Sequence, residues 1–179
     1  MDATRFEEYM LLDAIRKWHN AETVAALLRK GVNPDIRDAG FTALEFAAVL
    51  PGTDVLELML HHGATSDLRN DHGSTALHAA CTVAAAGLLL AAGAAIDAVD
   101  EEGMTPLHYA VLRGLGVVIA FLIERNANPL AANARGDTPE DLARGDAELC
   151  APFLAWRAEQ EVERLSAGVC GLRPLHSGL

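Results

Sequence analysis

"DEEGMTPLHYAVLRGLGVVIAFLIERNANPLAAN", Asp100 to Asn133, contains one complete structural unit. It opens on a polar turn that ends at Gly103. Thr105 then stands at a helix start: its hydroxyl suits the N-cap, and Pro106 at the first helical position gives up no needed N–H. Leu107 begins an apolar stripe. A loop containing "GLG" separates this helix from a second, "VVIAFLIER", which Asn126 follows. Asparagine is second to glycine in accepting the left-handed conformation that ends helices.

The same markers recur along the chain. "GFTALEFAA" begins at Gly40, "GSTALHAAC" at Gly73, "GMTPLHYAV" at Gly103 and "GDTPEDLAR" at Gly136, at intervals of 33, 30 and 33 residues. Helix stops form a second series: "LLRKG" at Gly31, "MLHHG" at Gly63, "LLAAG" at Gly93 and "LIERN" at Asn126. Two independent markers with one period define a repeat of turn, short helix, tight loop, second helix and turn. A unit of this size cannot bury its apolar faces alone, so neighbours must stack.

The 33-residue period and "TPLHYA" at Thr105 to Ala110 resemble the ankyrin repeat. The resemblance implies an all-α ankyrin-repeat α-solenoid of stacked helix-turn-helix units with β-hairpin-like turns, plus a C-terminal helix. The ankyrin domain is expected over residues 1–157, with an N-cap at about 6–37, repeats at about 38–69, 70–99 and 100–132, and a C-cap at about 133–157. Residues 158–179 are expected to form the end of the C-terminal helix and a tail. That helix should end near Gly168, with Pro152 in its first turn or kinking the segment before it. Ala155, Ala158, Val162 and Leu165 should cover the final repeat. In the family, Thr and His of the motif hydrogen-bond to tie turn to helix. Glu45 and Asp141 occupy the His slot here, Ala43 and Ala76 replace Pro, and Glu140 stands where Leu is usual. The first and fourth units are therefore expected to be less well tied.

"AACTVAAAGLLLAAGAAI", Ala79 to Ile96, is uncharged and reaches the length of a membrane-span candidate. Repeat register divides it instead. His108 to Asn126 is 18 positions, whereas His78 to Gly93 is 15. The run is expected to be two helices whose loop has lost three residues, between Ala80 and Leu88.

The 179 residues carry a net charge of −11, which disfavours nucleic acid and suits a basic protein partner. Only 5% of residues are aromatic, which suggests thin layers packed through small side chains. Three cysteines without CxxC spacing, and an acidic N-terminus unlike a signal peptide, point to the cytoplasm. No zinc spacing, nucleophile elbow or phosphate loop is present in the sequence, so no metal, cofactor or catalytic residue is expected. An enzyme built on the His78, Cys81 and His108 region is the rival reading.

The resemblance implies binding through the hairpin tips and the concave face of the inner helices. Carried onto this chain, those positions are Asp38, Ala39 and Phe41, then Asp71, His72, Ser74 and Thr82. The third unit contributes Glu101, Glu102, Met104, Leu112 and Arg113, and the fourth Arg135 and Asp137. Phe41 and Met104 are expected to face solvent as apolar anchors. The acidic turn Asp97 to Gly103 could steer a basic partner. The expected function is non-enzymatic protein binding, by a monomer or as part of a heteromeric complex. An immunity- or antitoxin-type neutralisation of a basic toxin or enzyme is the alternative.

Overall fold

The structure, a computed structural model, describes residues 3–169; the tail expected beyond them lies outside the described residues. Helix α1 (Ala3–Asp13) runs into a π-helical turn (Ala14–Trp18), and α2 (Ala21–Arg29) returns against it. Three helix pairs follow: α3 (Ala43–Ala48) with α4 (Asp54–His61), α5 (Ala76–Ala79) with α6 (Val83–Ala91), and α7 (Pro106–Leu112) with α8 (Gly116–Glu124). The chain ends with α9 (Pro139–Ala143) and α10 (Ala147–Val169). The π-turn, α3, α5, α7 and α9 stack as an inner row, and α2, α4, α6, α8 and α10 as an outer row. The helix stops fall where the glycine and asparagine markers put them, with Gly93 at φ 90° and Asn126 at φ 67°.

Polar turns project beside the inner row. In the first, strands β1 (Arg37–Asp38) and β2 (Phe41–Thr42) pair antiparallel, with Ala39 and Gly40 both at positive φ in the two-residue turn. The later turns fold around one side chain each. Asn70 Oδ1 accepts from the N–H groups of His72 (2.8 Å) and Ser74 (2.9 Å). Asp100 and Asn133 do the same one and two repeats on. Neighbouring turns join through their backbones, Asp71 N–H to Gly40 O, Glu101 N–H to His72 O and Ala134 N–H to Glu102 O. They lie so close that a Cβ on Gly103 would stand 3.1 Å from Ala134 N.

Each inner helix is tied to its turn by a reciprocal cap. Thr105 donates its N–H to His108 Nδ1 (3.0 Å), so the ring carries its hydrogen on Nε2 and donates to Asp137 O (3.1 Å) in the next unit. His78 does likewise with Thr75 and Met104 O. The first and fourth units prove equally well tied, contrary to expectation. Glu45 Oε2 accepts from Thr42 N–H (2.7 Å), and its Oε1 reaches Asn70 Nδ2 (2.7 Å) in the next turn. Asp141 Oδ2 accepts from both the N–H and the hydroxyl of Thr138. A carboxylate supplies the acceptor that the cap needs, and a carboxylate is a stronger acceptor than imidazole.

The three residues absent from the second repeat come out of the inner helix and not the loop. Helix α5 has four residues against seven in α7, while segments 80–82 and 113–115 are equally long and α6 and α8 have nine residues each. Removing nearly one turn keeps the remaining faces aligned and leaves the chain reversal intact. The apolar run from Ala79 to Ile96 is accordingly the end of α5, α6 and their flanks. No helix among the described residues is long and apolar enough to cross a membrane.

Helix α10 also differs from expectation. It begins at Ala147, so Pro152 falls in its second turn and not its first. Phe153 is fully buried against the last repeat, but Val162 and Leu165 are exposed, as are Ala155 and Ala158. Among the described residues α10 extends past the last repeat, and that stripe covers none of it.

Leu107, the second residue of α7, is fully buried. Leu107→Ala is expected to cost about 2–5 kcal/mol in a denaturant melt, as other buried large-to-small changes do. A loss under about 0.5 kcal/mol, the size of a surface effect, would contradict its place in the core.

Candidate partner-binding surface

The shortened α5 opens a gap in the inner row. A groove of about 420 Å³ lies over it, between the end of α3 and the end of α7. Phe41, Phe46 and Val49 form one wall, and Tyr109 and Arg113 the other; the turns of the second and third repeats close one end. Phe41 and Phe46 stand with ring centroids 6.0 Å apart, and His72 lies 6.3 Å from Phe41. Val49 is 46% exposed and Phe41 42%, so apolar surface faces the opening.

Truncating a helix leaves carbonyls without their i+4 donors. Arg113 meets that need here: its Nη1 donates to Ala79 O (2.9 Å) at the end of α5 and lies 3.8 Å from Cys81 Sγ. Its guanidinium also sits 5.5 Å from the Tyr109 ring centroid. Tyr109 in turn packs edge-on against His78 and donates its hydroxyl to Asp100 Oδ2 (2.7 Å). Burial, reinforced by that carboxylate, raises the phenol above its ordinary value.

The expected site residues divide into groups. Phe41, His72, Ser74, Glu101, Glu102 and Arg113 all line the groove. Met104, Leu112, Arg135 and Asp137 line a smaller depression further along, with Glu102 on the ridge between the two. Asp38 pairs with Arg16, and Asp71 with Arg37 at 3.5 Å, both on the turns beside the groove. Ala39 is exposed at the tip of the first turn. Thr82 caps α6 by accepting from Ala85 N–H, away from either hollow.

Two of these residues are not surface groups. Met104 is 8% exposed, contrary to its expected role as an anchor: its carbonyl receives His78, and its Sδ accepts from Asn133 Nδ2 at 3.2 Å. The next turn folds over it. Ser74 is also buried, and its backbone closes the Asn70 turn. Phe46, Val49 and Tyr109 line the groove as well; the signal for them in the sequence is an aromatic on an inner helix and a valine at a helix end.

The acidic turn proves partly structural. Asp97 Oδ1 accepts from Asn128 N–H (2.9 Å), as Asp35 and Asp67 accept from Thr65 and Ala95, and Asp100 holds its own turn. Glu101 and Glu102 remain as the exposed charges of that turn, Glu102 with Arg135 at 3.9 Å. Behind them, burial raises the Glu45 carboxyl above its ordinary value, against the pull of its hydrogen bonds to Thr42 and Asn70.

With this geometry in place, comparison with known proteins settles the family. A family model of ankyrin repeats (three copies) matches residues 11–94 and 50–133. The chain belongs to the ankyrin-repeat family. Over 118 residues it is 36% identical to Ankyrin repeat and SOCS box protein 16 of Mus musculus, covering 60% of this chain and 26% of that protein. It is 33% identical over 154 residues to the Nuclear factor NF-kappa-B p105 subunit of Gallus gallus, covering 80% of this chain and 16% of that one. Tyrosine-protein kinase HTK16 of Hydra vulgaris shares 31% over 133 residues, 69% of this chain and 18% of the kinase. This ankyrin chain thus spans about a quarter or less of the length of these relatives. Ankyrin repeats are protein–protein interaction modules, and the groove lies on a surface of the repeats this match covers.

The cap histidines are expected to make the stack acid-sensitive. Burial holds His78 and His108 below the ordinary imidazole value, outweighing the carbonyls and carboxylates that favour the cation. Their contribution is therefore present above pH 6.5 or so and lost as pH falls through the depressed folded values. His108→Gln is expected to lower stability at pH 7.5 by about 1–3 kcal/mol. It should also flatten the fall in urea midpoint between pH 7.5 and 5.5. Glu45, whose raised value acts with the opposite sign, is common to both proteins and cancels in the difference. An unchanged slope in the variant would contradict the assignment.

Proposed function

We propose that this chain is a non-enzymatic protein-binding module whose groove over α5 receives a segment of a partner protein. The observation that carries the reading is the missing helical turn. It exposes Val49 and the Phe41–Phe46 wall in a concave setting, where an apolar side chain of a partner would be desolvated on several sides. The two carboxylates of the third turn supply a polar rim. Residues 38–132 act as the working repeats, with the N-terminal helices and the α9–α10 pair as caps. The histidines are engaged in caps and inter-repeat bonds, which supports a structural role for them and argues against an enzyme. Unpaired Cys81 and Cys150 suit a reducing cytoplasm. Neutralisation of a basic toxin draws support from net charge alone, and Asp35, Asp67, Asp97 and Asp100 of that charge hold backbone N–H groups.

Peptides selected by phage display against the intact chain test the reading. Val49→Asp and Phe41→Ala are each expected to weaken the selected peptides by about ten-fold or more, the size of a lost hot spot. Their unfolding midpoints should stay close to the parent's. Val117→Asp, on the exposed side of α8, should leave affinity unchanged. Peptides that bind both groove variants as tightly as the parent would overturn the proposal.

A further inference from the structure

The groove is charged unevenly. Four carboxylates line it, those of Glu45, Asp100, Glu101 and Glu102, against one guanidinium, that of Arg113. Arg113 is already engaged by Ala79 O and the Tyr109 ring. Asp100 is held by its turn and by the Tyr109 hydroxyl, and Glu45 by Thr42 and Asn70. Glu102 meets Arg135 only at 3.9 Å, and Glu101 has no ion pair among the described residues. The negative charge at the turn end of the groove is therefore only partly countered from within, by Arg135 at Glu102, and Glu101 has no counter-charge among the described residues.

The aromatic walls add a second preference. The chain's own guanidinium groups already stack on them: Arg16 lies 4.7 Å from the Phe46 ring centroid and Arg113 5.5 Å from that of Tyr109. Aromatic faces attract cations, and carboxylates nearby fix where the charge comes to rest. In an extended segment, side chains two residues apart share a face and stand about 6.5–7 Å apart. Such a segment can present a charged group to one end of the groove and an apolar one to the other.

From charge complementarity, and resting on the binding function proposed above, we infer that the occupant is a basic, extended segment of a partner protein. Its arginine or lysine reaches Glu101 and Glu102, and an apolar side chain two positions away lies against Phe41 and Val49. The acidic rim draws the segment in, and the apolar wall retains it.

The test uses the intact chain and synthetic nonapeptide pools whose central residue is fixed as Arg, Lys, Gln, Glu or Leu, with binding read by fluorescence polarisation. The Arg and Lys pools are expected to bind about ten-fold more tightly than the Gln and Glu pools at low salt, and the advantage should shrink at high salt. Combining Glu101→Lys with Glu102→Lys should reverse the order, and the paired Gln substitutions should level it. Both side chains are exposed at a turn tip, and circular dichroism verifies that each variant stays folded. Equal binding of all pools, or a cation preference that survives charge reversal, overturns the inference. If neutral pools bind equally well yet lose binding on Val49→Asp, the inference fails while the groove reading stands. If no pool binds, or every pool ignores Val49→Asp, both fail together.

Discussion

The fold depends on one buried bridge repeated along the inner row. A threonine caps its helix, and the residue three positions on returns the bond and reaches into the next unit. In the middle repeats the bridge is an imidazole with one hydrogen: Nδ1 must accept from its own turn and Nε2 must donate to its neighbour's. This directional requirement holds each inner helix against the turn of the next unit. Glu45 meets the same geometry by a different route, since a carboxylate can only accept. Its partner across the boundary is accordingly a donor, the amide of Asn70, in place of a carbonyl.

A repeat protein gains its stability from such boundaries, so the length of any single helix is a minor variable. That is why the second repeat can give up most of a helical turn and remain in the stack. Its alanines and Gly87 bring layers close, with Phe121 3.6 Å from where a Cβ on Gly87 would stand. At the end of the short helix, Ala79 O accepts from Arg113 Nη1 and from Cys81 Sγ. The groove is what remains of the volume.

Most of the architecture was legible in the sequence, because its punctuation has local causes. Threonine caps, Pro106 and Pro139 at helix starts, and left-handed stops at Gly63, Gly93 and Asn126 each act within a few residues. The missing residues were countable from His78 to Gly93, but their placement was not, since a shortened loop and a shortened helix give the same spacing. Met104 was misjudged for a related reason: the next turn, 29 residues away at Asn133, buries it. The two walls of the groove likewise come from different repeats, Phe46 on one and Tyr109 on the other, facing each other across the gap left by the short α5. At the C-terminus, the apolar spacing of α10 was read correctly as helical, but spacing alone does not say where the stack ends.

The buried apolar residues form two clusters, one running from α1 to α6 and the other from α7 to α10, and partly buried Leu90 packs against both. Mechanically, the rod is two blocks with a seam, and the seam lies at the repeat whose inner helix is short. In a quasi-one-dimensional solid, cooperativity passes through every interface between neighbouring units, this one included. The groove spans this seam, with Phe46 and Val49 on one block and Tyr109 and Arg113 on the other. Anything seated there therefore acts as a splint, coupling the opening of one block to that of the other, and occupancy and cooperativity rise together.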